Sequence, residues 1–263
     1  MGTYKLMLRG LFFVGLSVIF PGHAFAKACI GFGPQTPRDI SSKKGTNPVQ
    51  FSFAPAAKDM NLCNIHFHKN AEHKGPGYSL DGGEGDHGGF KCNDTPKLTA
   101  AQLSEPKVTG CENIKPGDTV EVHWVHTSCD VAPGKGLGSC LSDACPNPQL
   151  RVETQVFLVV NDNKAQAKFS DYVYTGKRSK SGYHQAKKIP AFGDAVQFLG
   201  STTGPSYTEE KCSPLQVTWN VREQCATLDI NTLNQWCKKN VFEEDHAHGV
   251  RKLVTNPALL DAI

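Results

Sequence analysis

The sequence predicts a mainly β protein with a few short helices, folded as a single domain. Residues 150–160 give the clearest strand pattern, because β-branched residues recur at alternate positions along a segment that ends at the polar turn 161–163. Only residues 229–237 space their apolar side chains as a helix does, with Asp229 as a possible N-cap. The length fits one unit, since β-rich folds commonly extend past about 200 residues as one domain.

The remaining elements are shorter or irregular. Further strands are predicted at residues 50–53, 62–68, 119–126, 196–199 and 215–221. The glycine-rich residues 75–89 lack the Gly-Lys-Ser/Thr sequence of a phosphate-binding loop, so they predict a mobile surface loop. Residues 129–148 hold three cysteines among glycines and prolines, which predicts a loop pinned by disulfides.

The first residues have the pattern of a signal peptide. A basic start precedes an apolar run at 11–20 and the small-residue cleavage site Ala-Phe-Ala at 24–26. Cleavage there would start the mature chain at Lys27 and leave residues 27–263 as the functional domain. The ten-residue apolar run is shorter than the roughly twenty residues that span a bilayer. We therefore expect an exported protein, periplasmic or secreted, with no membrane segment after cleavage.

Charge and cysteine content narrow the class further. Loss of Lys5 and Arg9 with the signal peptide lowers the formal net charge from +3 to +1, which predicts no nucleic-acid partner. All ten cysteines follow residue 26, and an even number in an oxidising compartment predicts disulfides. No Cys-x-x-Cys spacing occurs, so a thiolate zinc site is disfavoured. The residues themselves leave the disulfide connectivity open.

A histidine pair on one strand predicts a metal site. His66 and His68 lie two residues apart in a strand, so their side chains point to the same face. His123, on the predicted strand 119–126, offers a third ligand, and Glu121 on the same face can hold its second ring nitrogen. Three histidines leave one tetrahedral position of Zn²⁺ open, which is the mark of a catalytic zinc site.

Histidine patterns of this kind also have an ordinary explanation. One histidine on a strand face is most often a hydrogen-bonded core residue, and it is the combination of His66, His68 and His123 that favours a metal site. A second pair, His246 and His248, stands among Glu243, Glu244 and Asp245 near the end of the chain. Its acidic neighbours predict a solvated segment.

Five separated motifs together identify a family. They are Gln-Thr-Pro-Arg-Asp-Ile at 35–40, His-Phe-His-Lys-Asn-Ala-Glu-His at 66–73, Glu-Val-His-Trp-Val-His at 121–126, Gly-Ser-Thr-Thr-Gly-Pro at 200–205 and Val-Thr-Trp at 217–219. In this order they resemble the motifs of bacterial α-class carbonic anhydrases. The wording of residues 64–75, the glycine-rich loop and the many cysteines are closer still to the δ class. The resemblance implies a large, mostly antiparallel central sheet, as in α-carbonic anhydrases.

The resemblance also implies roles for individual residues. His66, His68 and His123 would bind Zn²⁺ with water as the fourth ligand, and Glu121 would hold the His123 ring. Thr203 would accept a hydrogen bond from zinc-bound hydroxide and donate its own proton to Glu72. The reaction would be reversible hydration of CO₂ to bicarbonate and a proton, and the residues lining the CO₂ pocket would be Val125, Val217 and Trp219. Cys29 and Cys212 would form a disulfide.

Two departures from the α-class pattern bear on function. Thr202 and Gly204 replace a leucine and a second threonine, which predicts a more polar and more open pocket mouth. No residue matches the proton-shuttle histidine of fast α-class enzymes. The candidates are His73, His87, His126 and His184, each of which we expect to be structural or on the surface.

Two other classes compete with this interpretation. A cupin-type oxygenase or isomerase would use His-x-His-x₃-Glu and a later histidine to bind iron or manganese. That motif requires a glycine where Met60 stands, and it leaves residues 200–205 unexplained. The third possibility is a non-catalytic extracellular binding protein of the carbonic anhydrase fold, but such proteins usually lose a ligand histidine.

Overall fold

The computed structural model of the chain describes Gly2, Cys29 and residues 31–42, 44–85, 88–204, 206–250 and 253–262. The predicted signal peptide and the mature start at Lys27 lie outside these residues, as does His87. No helix among the described residues has the length and apolarity needed to cross a bilayer.

The fold is mainly β. In chain order the strands are β1 (Asn61–Lys69), β2 (Tyr78–Asp81), β3 (Phe90–Cys92), β4 (Thr119–Thr127), β5 (Leu150–Val160), β6 (Tyr174–Arg178), β7 (His184–Ala186), β8 (Ala195–Ser201) and β9 (Gln216–Asp229), and helix α1 is Ile230–Cys237. Short 3₁₀ turns occupy Ala57–Asp59, Thr95–Lys97, Leu137–Cys140, Phe169–Asp171 and Pro257–Leu259. The predicted class, mainly β with a few short helices, is confirmed.

Five strands form the central sheet in the order β1-β4-β5-β9-β8. Strands β1, β4 and β5 pair antiparallel, as do β8 and β9, while β5 and β9 are parallel. The sheet is therefore mostly antiparallel, as the resemblance implied. Two small hairpins, β2-β3 and β6-β7, lie outside it.

Strand β9 is twice as long as the sequence pattern indicated. Its predicted part, 215–221, pairs with β8, and the chain then continues to Asp229 beside β5. The continuation passes through Arg222, Glu223 and Gln224, whose polarity hides the strand pattern. The pairing with β5 shifts register here: Thr154 lies opposite Val221, and Val156 lies opposite Cys225.

The structure corrects two local predictions. Residues 50–53 form no strand; Phe53 is half exposed, so their alternation buries no apolar face. The segment 75–89, predicted as a loop, instead contains β2 and leads into β3. Tyr78 anchors this hairpin, because its buried ring donates a hydrogen bond from Oη to the Arg222 carbonyl at 2.7 Å.

The predicted helix and its cap are confirmed. A carboxylate oxygen of Asp229 accepts a hydrogen bond from the backbone N–H of Asn231 at 3.0 Å, which satisfies one of the unpaired donors at the start of α1.

Leu233 and Trp236 of the helix pack on one face of the sheet against Phe67 and other large side chains. The opposite face carries a second apolar cluster that includes Val125, Val217 and Trp219. His66, His68 and His123 also lie on this second face.

All ten cysteines are paired. The pairs are Cys29–Cys212, Cys63–Cys140, Cys92–Cys225, Cys111–Cys237 and Cys129–Cys145. The first confirms the pairing that the resemblance implied, and the second and fifth pin the 129–148 loop as predicted. Five disulfides indicate an oxidising compartment.

We expect this pairing to be measurable on the native protein. Alkylation under denaturing, non-reducing conditions should leave the intact mass unchanged, because no cysteine carries a free thiol. Alkylation after reduction should label all ten cysteines. Ten reactive thiols on the folded, unreduced protein would contradict both the connectivity and the oxidising compartment.

Candidate metal centre

The register between β1 and β4 brings the three predicted histidines together. His66 lies directly opposite His123, and His68 lies opposite Glu121. Residues opposite each other in an antiparallel pair project from the same face. One ring nitrogen from each histidine falls within 4.8 Å of the others, so the three could hold a metal ion.

A protein acceptor fixes the outer nitrogen of each ring. Asn64 Oδ1 lies 2.6 Å from His66 Nδ1, the Gly249 carbonyl lies 2.9 Å from His68 Nδ1, and Glu121 Oε1 lies 2.7 Å from His123 Nε2. These acceptors favour a proton on each outer nitrogen, which gives the inner nitrogen its lone pair. Asn64 was missed in the sequence, although its position two residues before His66 places it on the same face.

The inner nitrogens fit a metal ion. His66 Nε2 lies 3.2 Å from His123 Nδ1, and the buried His68 Nε2 has no hydrogen-bond partner among the described residues. A buried polar atom without a partner costs about 1–3 kcal/mol, which a coordinate bond would offset. Burial, together with the neighbouring His123, lowers the pKa of His68 well below its usual value. It therefore stays neutral, which is the form that binds metals.

Glu121 is the fixed charge beneath the histidines. It is fully buried, and besides His123 it contacts His73, whose Nδ1 lies 2.8 Å from Oε1 and whose backbone N–H donates to Oε2 at 3.3 Å. Burial alone would raise the pKa of Glu121, but His73 and His123 more than offset it and hold the pKa below the usual value. The carboxylate is therefore ionised and can only accept, which fixes the tautomer of His123.

Thr203 and Glu72 also meet, although 131 positions separate them. The Thr203 hydroxyl donates to Glu72 Oε2 at 3.5 Å, longer than the usual hydroxyl–carboxylate distance of about 2.5–2.7 Å. Glu72 is fully buried, and its Oε1 lies 3.5 Å from His68 Nδ1. Asn70, with φ of 65°, turns the chain after β1 and allows Glu72 to point back toward the site.

A small apolar pocket lies beside the histidines. Its volume is about 20 Å³, enough for about one small molecule. The predicted residues Val125, Val217 and Trp219 line it together with His66, His123 and Thr203. Thr202, expected at the pocket mouth, also lines it, and the rest of the wall, which the sequence did not indicate, is Leu137, Leu150 and Val152. Cross-strand pairing explains the grouping, since Val125 lies opposite Val152 and Val152 opposite Trp219.

A second cavity of about 550 Å³ opens from His66, His68 and Thr203 toward solvent. Its outer wall is charged and consists of Glu112, Lys135, Glu243, Glu244, Asp245, His246 and His248.

The prediction that the segment around His246 and His248 is merely solvated is wrong. The His248 N–H donates to the Phe67 carbonyl at 2.8 Å and the Lys69 N–H donates to the His248 carbonyl at 2.9 Å, so the segment pairs with β1. Strand β1 is an edge strand, and its free backbone groups provide this pairing.

The other candidate histidines lie away from both cavities. His73 is buried against Glu121, and His126 is buried on the opposite face of β4, where burial lowers its pKa to about 4. His184 Nδ1 lies 2.7 Å from the Tyr174 hydroxyl on the β6-β7 hairpin. None of these three lines either cavity.

The fold and the site define a class, that of mainly β proteins in which three converging imidazoles could hold a metal ion above an ionised carboxylate. Within that class, the family model described as Delta carbonic anhydrase matches residues 57–232, which include all three histidines. The chain therefore belongs to the δ-carbonic anhydrase family, and it is a carbonic anhydrase enzyme.

Comparisons with individual proteins add little to the family assignment. A search of curated proteins finds no match. Among solved structures, the chain is similar to the α-carbonic anhydrase of Thermovibrio ammonificans in complex with the inhibitor sulfanilamide, at 16% identity over 84% of each chain and a TM-score of 0.29. A TM-score this low carries no structural argument.

We expect metal binding to depend on His123 and not on His126. Replacing His123 with Ala removes one of the three ligands, so bound metal should fall to near zero. His126→Ala, three residues along the same strand, is the matched control and should retain metal. Metal analysis of the folded variants checks this; loss of metal in His126→Ala alone would mean that the assigned face of β4 is wrong.

Proposed function

We propose that the protein catalyses zinc-dependent, reversible hydration of CO₂ to bicarbonate and a proton. The observation that carries the proposal is the convergence of His66 Nε2, His68 Nε2 and His123 Nδ1 beside a small apolar pocket. When bound there, Zn²⁺ supplies a hydroxide at neutral pH by lowering the pKa of water to about 7, a value the carbonic anhydrases themselves exemplify.

The apolar pocket positions the substrate. CO₂ is small and uncharged, so it needs no charged partner and no general acid, and a dry wall of Val125, Val217 and Trp219 holds it beside His66 and His123. Burial of this wall keeps water from competing for the same space. Thr202, which also lines the pocket, places a hydroxyl at its edge, but that hydroxyl is engaged with Ser213 at 2.6 Å.

Thr203 and Glu72 orient the nucleophile. The buried Glu72 carboxylate accepts the Thr203 proton, so the Thr203 oxygen can only accept a hydrogen bond from a group in the site. Thr203 would therefore accept a hydrogen bond from a hydroxide in the site and leave the hydroxide lone pair directed toward the apolar pocket. The long Thr203–Glu72 distance is consistent with a contact that shortens once the site is loaded.

The position of Glu72 argues against a cupin-type oxygenase or isomerase. In that class the Glu of His-x-His-x₃-Glu is itself a ligand. Here Glu72 approaches the outer nitrogen of His68, Nδ1, whereas the converging nitrogen is Nε2. The alternative of a non-catalytic binding protein is disfavoured because all three histidines are present and held by outer partners.

We further propose that the enzyme is exported and works in a periplasmic or extracellular space. The proposal joins the oxidising compartment that the disulfides indicate to the signal pattern at residues 1–26. On this proposal residues 27–263 are the catalytic domain, and the intact mass of the native protein should correspond to a start at Lys27.

The metal dependence of turnover tests the main proposal. Purified native protein should contain zinc and hydrate CO₂, chelation should abolish the activity, and Zn²⁺ should restore it. Purified protein that contains iron or manganese and does not hydrate CO₂ would favour the cupin-type alternative. Zinc binding without CO₂ hydration would favour the non-catalytic alternative.

A double-mutant cycle tests the orienting pair. Thr203→Ala and Glu72→Gln should each lower kcat/KM by about 10²–10³, the loss typical of a preorganised polar group, with zinc content unchanged. Because either change breaks the same relay, the double variant should be little worse than the worse single one. Thr175→Ala, an exposed threonine on β6, is the control for substitution itself. Additive losses, or full activity in Glu72→Gln, would make Glu72 a purely structural residue.

A further inference from the structure

Hydration of CO₂ releases a proton that has to leave the site. The reaction forms one C–O bond and breaks one O–H bond of water, so each turnover yields bicarbonate and a proton that ends on buffer outside the protein. Glu72 and Glu121 are fully buried and cannot deliver it. A group that reaches both the cavity and the solvent is required.

We propose that His246 is this proton-accepting group. This inference rests on the proposed CO₂ hydration. The proton passes through water in the cavity to the His246 ring, which becomes an imidazolium and then releases the proton to buffer. An imidazole suits the task because its charge changes near neutral pH.

The position of His246 supports the proposal. It lines the same cavity as His66, His68 and Thr203, yet 51% of its side chain is exposed. Its ring centroid lies 5.2 Å from that of His248, which lies 5.8 Å from that of His66. Two ring-to-ring steps therefore connect the metal site with solvent. His248 is less suited to release a proton, since both oxygens of the buried Glu244 engage its Nε2 at 3.0 and 3.1 Å.

The fold holds His246 in place from both sides. The Glu112 N–H donates to the Asp245 carbonyl at 2.7 Å, and on the other side the His248 backbone pairs with β1. Asn240 supports the turn before it, because its amide donates to the Glu244 carbonyl at 2.8 Å and accepts the Glu244 N–H at 3.1 Å. The distance between the ring and the metal site is therefore set by backbone contacts.

The residues around His246 are mostly acidic. Asp245 Oδ1 lies 2.6 Å from His246 Nδ1, and this hydrogen bond lowers the pKa of Asp245 below its usual value. With Nδ1 bound to a carboxylate, Nε2 exchanges the proton. The other charged and titratable groups of this wall are Glu112, Glu243, Glu244, His248 and Lys135, and the lysine is paired with Glu243 at 2.9 Å. The net charge of the wall is therefore negative.

Steady-state kinetics separate proton transfer from the chemical step. In His246→Ala, kcat in weak buffer should fall about 10²-fold, the low end of the range for losing an acid–base group. The value of kcat/KM should stay within about twofold, because CO₂ binding and hydroxide transfer do not involve this ring. Added imidazole or concentrated buffer should restore kcat. His184→Ala is the matched control, since His184 is also partly exposed but lies outside the cavity, and it should behave as the parent.

A second measurement does not depend on turnover. In metal-free protein with ¹⁵N-labelled histidine, the half-exposed ring of His246, assigned by its absence in His246→Ala, should exchange its ring proton with solvent faster than the fully buried ring of His126. Zinc content of His246→Ala should equal that of the parent. Exchange at His246 as slow as at His126 would overturn the proposal.

The outcomes also separate this inference from the proposed function. If the parent hydrates CO₂ and His246→Ala matches His184→Ala in weak buffer, the inference alone is wrong. If His246→Ala loses kcat/KM together with zinc, the residue supports the metal site and carries no proton. If the parent with zinc bound does not hydrate CO₂, both fail.

Discussion

A slip of one residue between β1 and β4 would turn His66 and His68 away from His123, because side chains alternate between the two faces of a sheet. The observed register avoids this and places the histidines opposite each other. It is fixed by burial, since the same slip would expose Phe67 and Trp124, which fill the core beneath the other face. The packing of one face of the sheet therefore determines the chemistry of the other.

The second layer of contacts converts this placement into a usable site. Asn64, the Gly249 carbonyl and Glu121 each hold one outer ring nitrogen, so the rings are oriented before any metal binds. The cost is an unsatisfied buried nitrogen on His68 and an ionised carboxylate beneath His123. The packing of the surrounding sheet holds such a site in the folded protein. An ion that binds there would raise the free energy of unfolding.

Local patterns predicted the parts of the site that lie on regular strands. Alternation along β1 and β4 identified His66, His68, Glu121 and His123, since strand spacing alone decides which side chains share a face. The contact between His68 and the Gly249 carbonyl could not be predicted, because every residue has a carbonyl and nothing in the sequence distinguishes this one. The long β9 was hidden for a related reason, since residues 222–224 show no strand pattern of their own and the chain resumes its pairing with β5 only after a register shift.

The position of the segment around His248 also could not be predicted from local sequence patterns. Its acidic composition is typical of exposed chain, and only the position of β1 at the edge of the sheet explains why it pairs there. Sequence order gives no information on which strand lies at an edge when strands that are distant in the chain become neighbours. The position of the outer wall of the cavity is thus determined by the order of the strands in the sheet.

The hydrogen bond between His68 and Gly249 joins positions 181 residues apart. A nascent chain could therefore pair β1 with β4 long before the acceptor of His68 has been synthesised. Until the last residues arrive, His68 would be free to rotate, and the three nitrogens would not converge. The orientation of the His68 ring therefore depends on a contact made late in synthesis, and the ligand set on β1 and β4 is completed by a residue far from both strands in the chain.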